Sequence, residues 1–202
     1  MMNWQPLEKD QLNTLIDSVA SRGMPGLFSA GSSQGKRSAL PFYNGFYIYD
    51  LKNFSTLPVF TMQYLGNDSE FFYLDGSPTP IYQVNQNYNA LKLDQTNIID
   101  YVSFFFTYVS ILEEEADMIR DPENLPYYEY LSDEQKQIIA REKQNVQIEF
   151  SHDSQLYSLH CPLYYGGSLV KAMIQVDMRG HVTVKDYKLL FGVDTGNQGA
   201  VI

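Results

Sequence analysis

The sequence predicts an α+β protein in which two antiparallel β meanders, at about residues 45–84 and 146–187, are joined by a long amphipathic helix packed on the sheet. Three observations carry this. Strand-forming runs separated by turn residues fill the first of those regions. An apolar stripe at three- and four-residue spacing fills residues 98–112. From residue 146 onward, apolar residues fall on one face of four strands once the turn lengths are chosen correctly.

Taken in order, Leu7, Leu12, Leu15, Ile16 and Val19 share a helical face, and Gly23 ends the pattern, so residues 7–22 are an N-terminal helix. Residues 23–39 read as a loop. The runs GFYIYDL, LPVFTMQYL, SEFFYLDG and TPIYQVN then read as strands, punctuated by Gly66-Asn67-Asp68 and Gly76-Ser77-Pro78. The long helix covers about residues 95–113, with Asp94 or Thr96 as its cap and Ile98, Val102, Phe105, Val109 and Leu112 along its stripe. An acidic segment, 114–131, has no clear apolar period. Ser132 to Gln135 form a capping box that opens a short helix at about 133–143.

In the C-terminal meander (144–188), two-residue turns at Asp153-Ser154 and Gly166-Gly167 pair Phe150 with Tyr157, Ile148 with Leu159, Val146 with Cys161, Leu163 with Val170, Cys161 with Ala172 and Leu159 with Ile174. A three-residue turn, Met178-Arg179-Gly180, pairs Val176 with Val182 and Ile174 with Val184. The four strands are 146–152, 156–164, 169–177 and 181–187. Pro162 cannot donate to a ladder, so pairing with the first of them should end near Cys161. Residues 189–202 read as a frayed tail. The chain is treated as one domain, since 202 residues suffice for a core without staples.

The run from Ser69 to Val109, SEFFYLDGSPTPIYQVNQNYNALKLDQTNIIDYVSFFFTYV, resembles a group of uncharacterised bacterial proteins over about half the chain. That resemblance implies no known activity. The strand–turn–strand–helix order is also loosely similar to the SUKH superfamily, whose members include toxin-immunity and scaffold proteins. The chain departs from that pattern by lacking a second N-terminal helix and a leucine-proline entry before the first strand, and by adding the C-terminal meander.

Composition excludes several functions. A formal charge of −10 argues against wrapping nucleic acid and against anionic membrane surfaces. The N-terminus has no basic run followed by an apolar stretch, and the most apolar window, residues 98–112, is short for a span and contains Asp100, so a cytoplasmic protein is expected. The single Cys161 excludes an internal disulfide and a multi-cysteine zinc site.

Residues 28–39, FSAGSSQGKRSA, invite comparison with a phosphate-cradling loop, which requires Gly-x-x-x-x-Gly-Lys-Ser/Thr. Ala30 stands where the first glycine is needed and Arg37 where the magnesium hydroxyl is needed, and Leu40-Pro41 stops the helix that should follow. The stretch therefore reads as a flexible loop with two solvated cations. Cys161 beside His160 suggests a nucleophile pair, but neighbours in a strand point to opposite faces. His160 and His181 lie in different cross-strand rows (Gln147, His160, Met173, Lys185 against Ser151, Leu156, Asp177, His181), poorly placed to share a metal. The Ser151-His152-Asp153-Ser154 run supplies ordinary turn residues, because a catalytic triad is assembled from separated segments.

These readings assign no catalytic residue, metal ligand or cofactor. They point to a non-catalytic interaction protein that binds another protein, in particular a basic one, through an acidic surface. Glu113, Glu114, Glu115, Asp117, Tyr127 and Tyr128 are the candidate partner-binding residues, their carboxylates steering and their aromatics anchoring. The alternative is a small-molecule-binding or hydrolytic domain whose pocket is lined by Tyr43, Tyr47, Tyr49, Tyr64, Tyr73 and Tyr82.

Overall fold

Alternation in Tyr47-Ile-Tyr-Asp-Leu-Lys-Asn53 puts Tyr47, Tyr49 and Leu51 on one side of a strand and Ile48, Asp50 and Lys52 on the other, and the first sheet is built around that strand. The computed structural model describes the chain except residues 1, 23–24, 111–115, 121, 126–127, 145, 166–167 and 193–202, with only the backbone described at 124 and 144. It is an α+β fold with two antiparallel five-stranded sheets. The chain divides into two compact units, one of Met1–Asp75 and Thr79–Lys92, the other of Gly76–Pro78 and Leu93–Ile202.

In the first unit the strands β1 (Gln5–Pro6), β2 (Ser33–Ala39), β3 (Tyr47–Asn53), β4 (Phe60–Gly66) and β5 (Phe71–Tyr73) lie in sequence order. Helix α1 (Lys9–Ser21) covers one face, burying Leu15 and Val19 against Tyr49, Leu51, Met62, Tyr64 and Phe71, with Leu7, Leu12 and Ile16 packed at the margin. That is the apolar stripe read from the sequence.

Two expectations are corrected here. Residues 33–39 are not loop: all seven pair with β3, from Ser33 with Asn53 to Ala39 with Tyr47. The polar run SQGKRSA carries no alternation because its charges are satisfied by other segments of the chain. Arg37 pairs with Asp68 and lies 4.5 Å from the Tyr47 ring, and Tyr49 donates to Asp68 at 2.7 Å. Gly35 is needed for close approach, since a Cβ there would stand 2.6 Å from Leu7 Cδ1. The second correction is TPIYQVN, which forms helix α2 (Thr79–Tyr88) and not a strand. Pro80 is tolerated in a first helical turn, and Ile81 and Val84, three apart, are both fully buried.

The second unit opens with α3 (Ile98–Tyr108). Asn97, and neither Asp94 nor Thr96, stands at its N-cap; the Asp94 Oδ1 ties the turn before it, accepting from the backbone N–H of Thr96 at 2.7 Å and of Asn97 at 3.1 Å. The helix is shorter than the expected 95–113. Val109 turns extended, and the Ser110 N–H donates to the Gly76 carbonyl at 2.9 Å, so the backbone leaves the helix for a bridge to the Gly76–Pro78 segment. Then come β6 (Ala116–Met118), α4 (Asp133–Gln144), β7 (Gln147–Ser151), β8 (Leu156–Tyr165), β9 (Ser168–Asp177) and β10 (Val182–Phe191). The Ser132 capping box forms in both directions, Ser132 N–H to Gln135 Oε1 at 2.9 Å and Gln135 N–H to Ser132 Oγ at 3.2 Å.

The C-terminal registers agree with the sequence pairings at Phe150 with Tyr157, Ile148 with Leu159, Leu163 with Val170, Cys161 with Ala172, Leu159 with Ile174, Val176 with Val182 and Ile174 with Val184. Gly180 closes the last turn at a φ of 81°, as a bulged turn requires. Three details differ. β7 starts at Gln147, so Val146 lies outside the ladder, and the turn spans residues 152–155 with Gln155 left-handed. A bulge between Val184 and Asp186 sets Asp186, and not Lys185, opposite Met173. Residues 189–191 are strand, Leu189 pairing with Val170 and Phe191 with Leu169, so the tail begins later. The Gly166-Gly167 turn and residues 193–202 lie outside the described residues.

Pro162 explains the edge of this sheet. β7 pairs with β8 only as far as His160, and β6 takes the same edge from Leu163 to Tyr165. The proline sits in the gap where no donor is required, and its carbonyl accepts from the Ile119 N–H at 3.3 Å.

Candidate binding site

The outer face of the first sheet carries two polar cross-strand rows, Lys36, Asp50 and Gln63, and Gln34, Lys52 and Thr61. A cleft of about 350 Å³ opens over them, walled by Trp4 and Pro6 from the N-terminal segment and by Phe54 at the end of β3. Asp50 forms its floor and is only 5% exposed. Its Oδ2 faces two ammonium groups, Lys36 Nζ at 3.2 Å and Lys52 Nζ at 3.9 Å, while Oδ1 is buried with no hydrogen-bond partner among the described residues. Lys36 is held from its other side by the Trp4 ring, 4.4 Å from Nζ to the centroid. The two cations expected to be solvated on a mobile loop, Lys36 and Arg37, are thus both paired on a strand.

Phe54, which lines the cleft, also begins the β3–β4 tip, where large apolar side chains stand in solvent: Leu57 is 97% exposed, Phe54 50%, Val59 41% and Phe60 39%. Their base is firm. Buried Asn53 donates to the Leu27 carbonyl at 2.7 Å and accepts from the Ser55 N–H at 2.8 Å, and the Phe54 N–H donates to the Ser32 carbonyl at 2.8 Å. An apolar tip held this way presents side chains without ordering them at the moment of contact.

Sequence reasoning missed this site. Asp50 and Lys52 are visible as charges on one face of a strand, but Lys36 joins them only when residues 33–39 are recognised as its neighbour. Trp4 joins only through the short β1 pairing of Pro6 with Lys36.

Of the residues singled out for partner binding, Glu113, Glu114, Glu115 and Tyr127 lie outside the described residues. Asp117 is an exposed residue of β6 opposite Tyr164, and loss of hydration, partly offset by the Met118 N–H, raises its carboxyl above the ordinary range. Tyr128 is half-buried in the turn Tyr128–Tyr130, packed with Ile119, Leu125, Ile139 and Leu169, and Lys136 Nζ stands 5.5 Å from its ring. The acidic segment therefore buries apolar residues after all. Ala116 and Met118 point inward from β6 and Leu125 is buried, because a three-residue strand and single-turn helices are too short to show a period. Tyr130, 80% exposed, remains at the surface.

Half of the tyrosines offered as a pocket lining are core. Tyr43, Tyr49 and Tyr64 are buried, and burial raises their phenols above the usual range. Tyr47 and Tyr82 are half-buried, and Tyr73 is exposed. Cys161 is 1% exposed, and burial pushes its thiol up to about 12, which leaves it inert near neutrality. His152, in the β7–β8 turn, meets the Phe150 ring edge to face, and His181 Nδ1 pairs with Asp177 Oδ2 at 2.8 Å in the β9–β10 turn. Among the described residues no group of three or more His, Cys, Asp or Glu is placed to hold a metal, and no helix is long and apolar enough to cross a membrane. No protein-family model matches the chain, and neither a curated protein nor a solved structure matches it.

Proposed function

We propose that this chain is a non-catalytic cytoplasmic interaction protein that binds another protein through the β3–β4 tip of its first unit. The observation that carries this is the tip itself: four large apolar side chains, Phe54, Leu57, Val59 and Phe60, exposed within seven residues of one hairpin that has a hydrogen-bonded base. Clustered exposed apolar residues mark contact sites, whereas single ones do not. The reading agrees with the loose similarity to immunity and scaffold proteins noted in the sequence. With a charge of −10, the field of the whole chain favours a partner that is basic overall and disfavours nucleic acid. Glu113, Glu114, Glu115 and Asp117 contribute to that field and speed the encounter.

The test is affinity capture from native cell lysate with the parent and with Leu57→Ser/Val59→Ser. Both side chains are exposed, so the variant should melt within about 0.5 kcal/mol of the parent. Truncating interface anchors costs about 2 kcal/mol or more, so a partner held stoichiometrically by the parent should be lost by tenfold or more. A partner retained equally by both proteins would remove the tip from the interface.

A further inference from the structure

We infer that the cleft beside the tip receives a carboxylate carried next to a large apolar side chain on a segment of the partner protein, with Lys36 and Lys52 holding the carboxylate and Trp4 and Phe54 the apolar group. The inference rests on the reading of this chain as an interaction protein and adds the chemistry of what it recognises.

Asp50 is the starting point. A buried carboxylate oxygen without a hydrogen-bond partner costs a fold about 1–3 kcal/mol, and Asp50 Oδ1 is such an atom. Asp50 lies on the face of the sheet opposite the side packed by α1, outside the apolar cluster that α1 covers. What it does is bring two ammonium groups to one point, both facing its Oδ2. An ammonium has three donors, and both lysine side chains remain partly exposed, so each has donors to offer an incoming acceptor.

Local charge then selects the ligand. Two ammoniums against one carboxylate leave the cleft positive within a chain whose total charge is −10. An anion is attracted here, and a cationic side chain is repelled by both lysines. The walls narrow the choice. The Trp4 ring stands over the Lys36 ammonium, and the half-exposed Phe54 ring, at the end of β3 where the apolar tip begins, lines the cleft. About 350 Å³ lies at the small end of ligand pockets, room for one or two side chains and not for a large cofactor. A partner that is basic overall, with an acidic and apolar docking segment, satisfies both the long-range field and this cleft.

Trp4 is the only tryptophan of the chain, so its fluorescence reports the cleft directly. The intact protein is titrated with a nine-residue peptide centred on Glu-Leu-Phe, with its Gln and Lys counterparts at the Glu position, and with inorganic phosphate. The Glu peptide should give a saturable change that weakens with salt, binding at least tenfold more tightly than the Gln peptide, while the Lys peptide and phosphate give none. Lys52→Gln should abolish the preference for Glu over Gln. Phe54→Ala should weaken both peptides alike and leave the preference intact. Both sites are partly exposed, and circular dichroism confirms that the variants fold. Equal binding of the Glu and Gln peptides, a silent Trp4 up to millimolar peptide, or the same saturation with phosphate alone would each overturn the inference. The two readings fail separately: a silent Trp4 alongside loss of capture in the tip variant removes only the cleft ligand, and a selective peptide response alongside retained capture removes only the tip.

Discussion

Single residues in this protein do work that depends on which neighbour they meet. Asp177 is the clearest case. Partial burial acts to raise its carboxyl, but the hydrogen bond from His181 and the backbone N–H groups of His181 and Arg179, each at 2.9 Å, outweigh it and hold the group below the ordinary carboxylate range. A depressed folded value means stability that is present above the unfolded value of about 3.9 and is lost as the pH falls through the lower folded one. Asp177→Asn should therefore cost about 1 kcal/mol near neutrality, the usual worth of a turn hydrogen bond. It should also flatten the decline in melting temperature below pH 4. Calorimetric scans from pH 3 to 7 check both, and an acid limb as steep in the variant as in the parent would assign that decline to other carboxylates. Cys161 makes the complementary point: its neighbour His160 is on the opposite face, and the residues it meets are Ala172 and the apolar layer.

Elements differ in how much of themselves they show in local sequence. The C-terminal strands are long, their apolar residues alternate, and Gly180 admits a left-handed turn, so only one set of pairings places every apolar residue inside. α2 is short and begins with proline, and over seven residues TPIYQVN fits a strand as well as a helix. Ile81 and Val84 share a face in a helix, whereas Ile81 and Gln83 would share one in a strand. Ile81→Ala should cost about 2–5 kcal/mol, as buried truncations do, while Gln83→Ala, at an exposed position, should stay within about 0.5 kcal/mol. Denaturant titrations of the two variants decide it, and equal losses would contradict the helix.

Across the whole molecule, the proposed function divides the labour of association between charge and apolar surface, with the net charge of −10 acting at a distance and the tip and cleft on contact. If Glu113, Glu114 and Glu115 act through the field and not in the fold, replacing them together by Gln should leave the melting temperature nearly unchanged, since charges outside the fold's contacts add little stability. The association rate with the captured partner should fall and lose part of its salt dependence. Stopped-flow mixing at two ionic strengths measures this. A large drop in melting temperature would place the three glutamates in the fold, and an unchanged rate would remove them from steering.

The sequence by itself determined the α+β class, the N-terminal helix, the apolar stripe of the long helix, and most of the C-terminal registers. Each of these is written in a pattern that repeats over many neighbouring residues. Only the tertiary structure decided that SQGKRSA is a strand, that TPIYQVN is a helix, that Leu125 and Tyr128 are packed inward, and that Lys36, Asp50, Lys52 and Trp4 meet. These features hang on contacts between segments far apart in the chain. Arg37 is satisfied by Asp68 and Lys36 by Asp50, and a charge that reads as solvated in its own segment becomes a strand residue, or the wall of a cleft, when its counter-charge arrives from another segment of the chain.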